Sequence, residues 1–368
     1  MNKLAIIYLL IFLILSVINV IFSFINRKSR NRFQKSYLFF LIIALLSFSV
    51  IAFNIEPPFE WDLYKHYQVL EKIRTGGVSY LTNYSPYKEL YVINYFYYLI
   101  SLTNYNGLLP FFTVLICGII FIIIYKNLVF NNKNLSNFVK IFIILIYLAL
   151  FNIVLAVSGI RTNLSVSICA LGFFLEYLNK RNFIVSLLLY IISLFIHPVS
   201  VIFIISRLLV MLNGDKYFII FAFISLFFYG IIETLSSQNI PIIQYIMGLI
   251  NVYQSEKVEY TWYITIANLL FVLIYLFNCC YLYIKCKITS IDVKISLVYS
   301  CFCLGLIFNL IFFYRCIMFL SFLAIFVYSK YFMNKNNIRK DLTLISLSIY
   351  SLLILFLNII QLMSVITW

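Results

Sequence analysis

Charge is what this sequence has least of. Asp, Glu, Lys and Arg make up only 11% of its 368 residues, against about a quarter in a soluble domain. A chain so poor in charge cannot cover its own surface in water. Glycine and proline are scarce too, at 10 and 6, which leaves little material for extended loops. The chain has 2 histidines, no HExxH helix and no glycine-rich phosphate loop. No internal repeat stands out, and no small-residue cleavage site follows the first apolar run.

Apolar residues fill the space, at 64% of the chain and a mean hydropathy of +1.04. The expected class is an all-α, polytopic membrane bundle in a bacterial-type inner (cytoplasmic) membrane, forming one membrane-embedded domain over residues 1–368. The net charge of +15 does not indicate nucleic acid as a partner. Lys and Arg sit in short clusters between apolar runs, where they act as topology signals because cytoplasmic loops retain them. All 8 cysteines lie in or beside apolar runs, which indicates packing residues and neither a disulfide framework nor a zinc site.

A membrane span needs about 20 apolar residues. The runs predict about 12 spans: Leu4–Ile25, Tyr37–Ile55, Gly107–Tyr125, Phe138–Val157, Ile160–Leu178, Asn182–Ile196, Pro198–Leu212, Tyr217–Ile232, Thr261–Ile284, Ile295–Phe313, Cys316–Met333 and Leu342–Gln361. Both termini then face outward. Outer loops cover about 56–106 and 233–260. In this topology 19 of the 27 Lys and Arg residues are cytoplasmic, as the positive-inside rule requires. Making the tyrosine-rich run Leu90–Tyr105 a full span would invert everything after it, so it is expected as an interfacial or re-entrant helix on the outer face. A single helix over Asn182–Leu212 would likewise put eight Lys and Arg residues outside, so a hairpin is expected at His197-Pro198.

Ionisable groups at membrane depth cost about 2.5–3.5 kcal/mol on insertion scales and invite a functional reading. Arg161, at the outer start of its helix, is either a snorkelling anchor or an anion clamp that grips phosphate bidentately. Positions 182–196 make about 22 Å of helix at 1.5 Å per residue, so His197 should sit slightly inside the membrane. It is either a hydrogen-bonded packing residue or a general base or substrate partner. Arg315 is expected at the outer turn of the long run 295–331, a turn that neither glycine nor proline marks. In the first outer loop, Asp62 is the best candidate for a working carboxylate, and its neighbours, His66 included, read as mixed charge in a solvated loop. The tyrosines of Tyr80–Tyr105 read as an aromatic belt before sugar-stacking surfaces, and Arg207 as a topology anchor.

The stretch Ser158-Gly159-Ile160-Arg161-Thr162-Asn163, a basic turn Asn179-Lys180-Arg181-Asn182, and Leu194-Phe195-Ile196-His197-Pro198-Val199-Ser200 together resemble the EpsG family, relatives of the Wzy polysaccharide polymerases. Asp62 and Tyr64 resemble that family's first-loop element, Glu89-Leu90-Tyr91 the opening of its next helix, and Arg315 its late arginine. Thr162 stands where the family prefers Gln or Asn, a role Asn163 can take. The resemblance implies a GT-C-like fold and a glycosyltransferase that joins oligosaccharide repeat units carried on polyprenyl diphosphate, for a capsule, exopolysaccharide or O-antigen. It implies His197 and Asp62 as catalytic residues, and Arg161, Arg315, Asn163 and Tyr64 as substrate-binding ones. No cofactor and no tightly held metal are expected. The expected partners are the polyprenyl-diphosphate-linked oligosaccharide, the lipid bilayer, a flippase and a chain-length regulator. A flippase or other transporter of the lipid-linked sugar, and a membrane O-acyltransferase, remain the alternatives.

Overall fold

The computed structural model describes residues 30–57, 59, 61–85, 89–150, 153–178, 182–212, 218–236 and 262–333, with single positions 244, 354 and 357. Apart from those single positions, the expected spans Leu4–Ile25 and Leu342–Gln361 and nearly all of the second outer loop lie outside the described residues. Every regular element among the described residues is helical. Two compact units divide the chain, one formed by Met1–Ser200 with Ser351–Trp368 and the other by Val201–Tyr350.

The first unit holds α1 (Arg30–Phe53), α2 (Asp62–Asn83), α3 (Tyr91–Ser101), α4 (Leu108–Tyr125), α5 (Asn137–Leu150), α6 (Ile153–Ser158), α7 (Ile160–Leu178) and α8 (Phe183–Leu194). The segment expected as the first outer loop is therefore largely helical. Its charged residues alternate with a buried set, Leu63, His66, Leu70 and Ile73, which α2 turns to one face, as residues three and four apart share a helix face. The helix is kinked at Gly77, whose φ is 60°. α3 has 11 residues; at 1.5 Å each it is about 16 Å long, too short to cross a core of about 30 Å. Leu90–Tyr105 is thus no full span.

α4 runs on through a π-helical turn, Lys126–Phe130. Lys140 Nζ donates to the Phe130 carbonyl at 2.7 Å and places a cation at the negative C-terminal end of that helix.

α7 and α8 form a tightly packed pair. A side chain on Gly172 would meet the Ser186 carbonyl oxygen and Tyr190 at 3.1 Å, so the two backbones approach where α7 has no Cβ. On α8 the usual order of a water-soluble helix is reversed. Ser186, Tyr190 and Ser193 face inward, whereas Ile184, Leu188 and Ile191 are exposed. Polar groups on the protein side with apolar groups outside is the arrangement a lipid solvent rewards. The exposed stripe Ile266, Leu270, Leu273 and Phe277 repeats it in the second unit.

That unit holds most of α9 (Ser200–Leu212), with α10 (Phe218–Leu226), α11 (Phe228–Ser236), α12 (Trp262–Ile284), α13 (Ile291–Gly305) and α14 (Leu310–Met333). The expected break at His197-Pro198 is present, since α8 ends at Leu194 and α9 begins at Ser200. The expected span Tyr217–Ile232 is instead two helices that part at Phe227. The run 295–331 folds as a hairpin, and Lys330 at its far end lies 2.6 Å from the buried Asp292 at its start. The turn, however, falls at 306–309 and not at Arg315. Gly305 ends α13 where a Cβ would meet the Ser225 carbonyl oxygen at 2.3 Å. Asn309 then caps α14, its Oδ1 accepting the Phe312 N–H at 3.2 Å, as asparagine does at helix starts.

Three helices among the described residues are long and apolar enough to cross a membrane: Leu108–Phe130, Thr265–Ile284 and Leu310–Met333. Four shorter apolar helices accompany them, Leu41–Phe53, Val139–Leu148, Phe183–Leu194 and Ser200–Met211. The described residues thus hold fewer full-length apolar helices than the twelve spans the runs suggest.

Candidate functional site

The apolar neighbours of three of the sequence's polar segments belong to one buried cluster in the first unit. Leu63 follows Asp62, Ile160 precedes Arg161, and Ile196 precedes His197. All three are at most 3% exposed and belong to one continuous cluster of buried side chains, with Ile93, Tyr97 and Val157. Hydrophobic burial is non-directional, but a polar residue next in sequence to a buried one is carried to the edge of the same cluster. Asp62 is half-buried in the first turn of α2, with Lys65 Nζ at 3.7 Å from its carboxylate. Tyr64 lies beside Phe59, ring centroids 5.0 Å apart, and lines an open cleft.

Arg161 is the second residue of α7 and half-buried. One turn on, Ser165 locks α7 to the His197 turn: its hydroxyl lies 2.9 Å from the Ser193 carbonyl and 3.1 Å from that of His197. Its single proton is shared between the two acceptors. Asn163 is buried, and its Nδ2 donates to the Gly159 carbonyl at 3.0 Å, so that nitrogen is committed to the start of its own helix.

His197 is 3% exposed. Its Nδ1 accepts the Val199 N–H at 3.1 Å, which requires an unprotonated Nδ1 and puts the proton of the neutral ring on Nε2. Pro198 has no N–H, so the imidazole satisfies the first backbone donor after it. The turn is also tied to the first outer loop, where the rings of Tyr91 and Phe195 lie 6.0 Å apart.

One reading of a single residue is corrected by burial. His66 is not in a solvated loop; it is 2% exposed, with Nδ1 3.0 Å from the Tyr97 hydroxyl, and it pins α2 to α3. Arg207 is buried as well. Arg315 is 8% exposed and belongs to α14, in the second unit, beyond the turn where it was expected. Sequence reading passed over Tyr67, Gln68 and Asn106 and took Glu71 only as mixed charge in a solvated loop; all four line the cleft with Tyr64. The signal was there in part: 64, 67, 68 and 71 share one helix face.

Helices with apolar exteriors, three of them among the described residues long and apolar enough to cross a membrane, define an α-helical membrane protein. The EpsG family profile matches residues 37–366, nearly the whole chain, and the protein belongs to the EpsG family, whose members serve polysaccharide biosynthesis. No curated protein and no solved structure matches the chain significantly.

Proposed function

We propose that this protein is a repeat-unit polymerase. It joins oligosaccharides carried on polyprenyl diphosphate at the outer face of the cytoplasmic membrane. The observation that supports this reading is the match to a family of polysaccharide biosynthesis over nearly the whole chain; the apolar neighbours of Asp62, Arg161 and His197, namely Leu63, Ile160 and Ile196, also share one buried cluster in the first unit.

In the reaction, the oxygen of an acceptor sugar hydroxyl attacks the donor's anomeric carbon. A carbon–oxygen bond forms, the bond from that carbon to the diphosphate oxygen breaks, and its electron pair leaves with the polyprenyl diphosphate. Asp62 takes the hydroxyl proton as general base. Arg161 grips the diphosphate, where a guanidinium fork can bind two oxygens as charge develops. His197 donates from Nε2 to a reacting oxygen, because its Nδ1 is committed to Val199. Arg315, in the second unit, remains a substrate-binding candidate on the family resemblance alone.

Deletion of the gene followed by polymer analysis tests the reading. Long chains should vanish while single repeat units persist on the carrier lipid. Lipid-linked intermediates trapped on the inner leaflet would mean a flippase instead, and normal chain lengths with altered acylation an O-acyltransferase.

A further inference from the structure

The cleft beside Tyr64 has no part in the chemistry described above. It encloses about 350 Å³, within the roughly 300–1,000 Å³ of small-molecule sites. Glu56 comes from the segment after α1, Tyr64, Tyr67, Gln68 and Glu71 from one face of α2, and Asn106 from the turn before α4.

Two of its lining residues carry unsatisfied polar groups. The Tyr67 hydroxyl and Asn106 Oδ1 are buried without a hydrogen-bond partner; so is Nη2 of Arg74, which pairs with Glu71 but does not itself line the cleft. Buried polar groups in folded proteins are nearly all paired, so unpartnered groups on two lining residues indicate a group from outside the chain. The orphans are also held in place. Asn106 Nδ2 and Arg74 Nη1 both donate to Glu71 Oε1, at 3.1 and 2.6 Å, while Arg74 Nε donates to the Thr103 carbonyl at 3.0 Å. Burial pushes the Tyr67 phenol up from its ordinary value, so it keeps its proton and remains a donor.

The lining thus presents a donor (Tyr67), an acceptor (Asn106), an amide that does both (Gln68) and aromatic rings. Its carboxylates are Glu56 and Glu71, the latter already paired with Arg74 at 2.6 Å, and no cationic side chain lines it. Such a cleft offers a diphosphate no counter-charge. A sugar fits it, because each hydroxyl both donates and accepts and the ring's C–H faces can lie on tyrosine. We propose that the cleft binds a sugar residue of the acceptor saccharide, and so holds the chain in register with Asp62 on the same helix. The assignment to an acceptor rests on the polymerase reading.

The test uses the full chain in lipid nanodiscs. The probe is the oligosaccharide freed by mild acid from the producing cell's own lipid-linked intermediates, with binding measured by calorimetry. Tyr67→Phe and Gln68→Ala should each weaken binding roughly tenfold, equivalent to about 1.4 kcal/mol, and shorten the polymer made in cells. Tyr67→Phe should not lower the thermal midpoint, since the hydroxyl it removes has no partner in the free protein. A tyrosine of merely structural importance would show the reverse, lost stability with unchanged binding. Arg161→Ala should abolish polymer yet leave oligosaccharide binding unchanged. Wild-type affinity in both cleft variants, or a protein that binds Ca²⁺ there and no oligosaccharide, would overturn the proposal. Normal polymer from Arg161→Ala alongside weakened binding in the cleft variants would uphold the sugar site and sink the polymerase assignment of Arg161.

Discussion

His197 shows how one side chain can have a structural edge and a chemical edge. The Val199 N–H bonded to Nδ1 is a buried donor, and leaving such a group unpaired costs about 1–3 kcal/mol. His197→Ala should therefore lower membrane abundance as well as activity. His197→Asn is the cleaner variant, because its Oδ1 can replace Nδ1 as acceptor while nothing replaces Nε2–H. It should accumulate normally and make no long polymer; full-length polymer from His197→Asn would remove the imidazole from the chemistry. Arg161 separates anchor from clamp in the same manner. Lysine snorkels as well as arginine but lacks the bidentate fork, so Arg161→Lys should stay strongly impaired at normal abundance. Polymer profiles and immunoblots of the membrane fraction, taken from the same cells, decide both.

At the scale of elements, helix packing depends on where a Cβ is missing. Gly305 sits under backbone: an added methyl group would lie 2.3 Å from the Ser225 carbonyl oxygen and 2.9 Å from that of Leu226. Neither atom can rotate away, so α10 and α13 would have to part. Around Gly172 the nearest atoms stand at 3.1 to 3.2 Å, and a shift of a few tenths of an ångström suffices. Overpacking costs typically about 1–3 kcal/mol. Gly305→Ala should fall at or above the upper end of that range and Gly172→Ala at or below the lower. Melting of the detergent-solubilised protein, followed by size-exclusion chromatography, ranks the two. Equal midpoints would mean that the α10–α13 crossing is looser than the structure shows. The Lys330–Asp292 pair, 2.6 Å apart, closes the other end of the α13–α14 hairpin and fixes its register.

For the molecule as a whole, the distribution of charge sets the orientation. Reporter fusions after Asn134 and Asp341 should read cytoplasmic, and one after Ser236 external. The short α3 favours this pattern, since a helix of 11 residues gives the chain no crossing between Glu56 and Leu108. An external signal at Asn134 would invert the topology of everything beyond it, and Arg161 and His197 would then face the cytoplasm, away from an outer-leaflet substrate.

Hydropathy and charge were enough to determine the solvent of this protein and the breaks at Leu90–Tyr105 and His197-Pro198, and the resemblance of its motifs pointed to the family. Those properties are written locally: a run is long or short, and a proline removes its N–H wherever it lies. The motif Gly159-Ile160-Arg161 and the His197 turn were legible for the same reason. Other features depend on residues far apart in the chain. His66 reads as a loop residue until Tyr97 closes over it. The hairpin turn was sought at the charge, Arg315, yet it formed at Gly305 and Asn309, where α10 crosses and a side chain can cap. The cleft needed Glu56, one face of α2 and Asn106 to converge. Its unpaired hydroxyl and amide oxygen exist only after folding, because in the unfolded chain water satisfies both. Only the tertiary structure could remove that water, and in doing so it created the site.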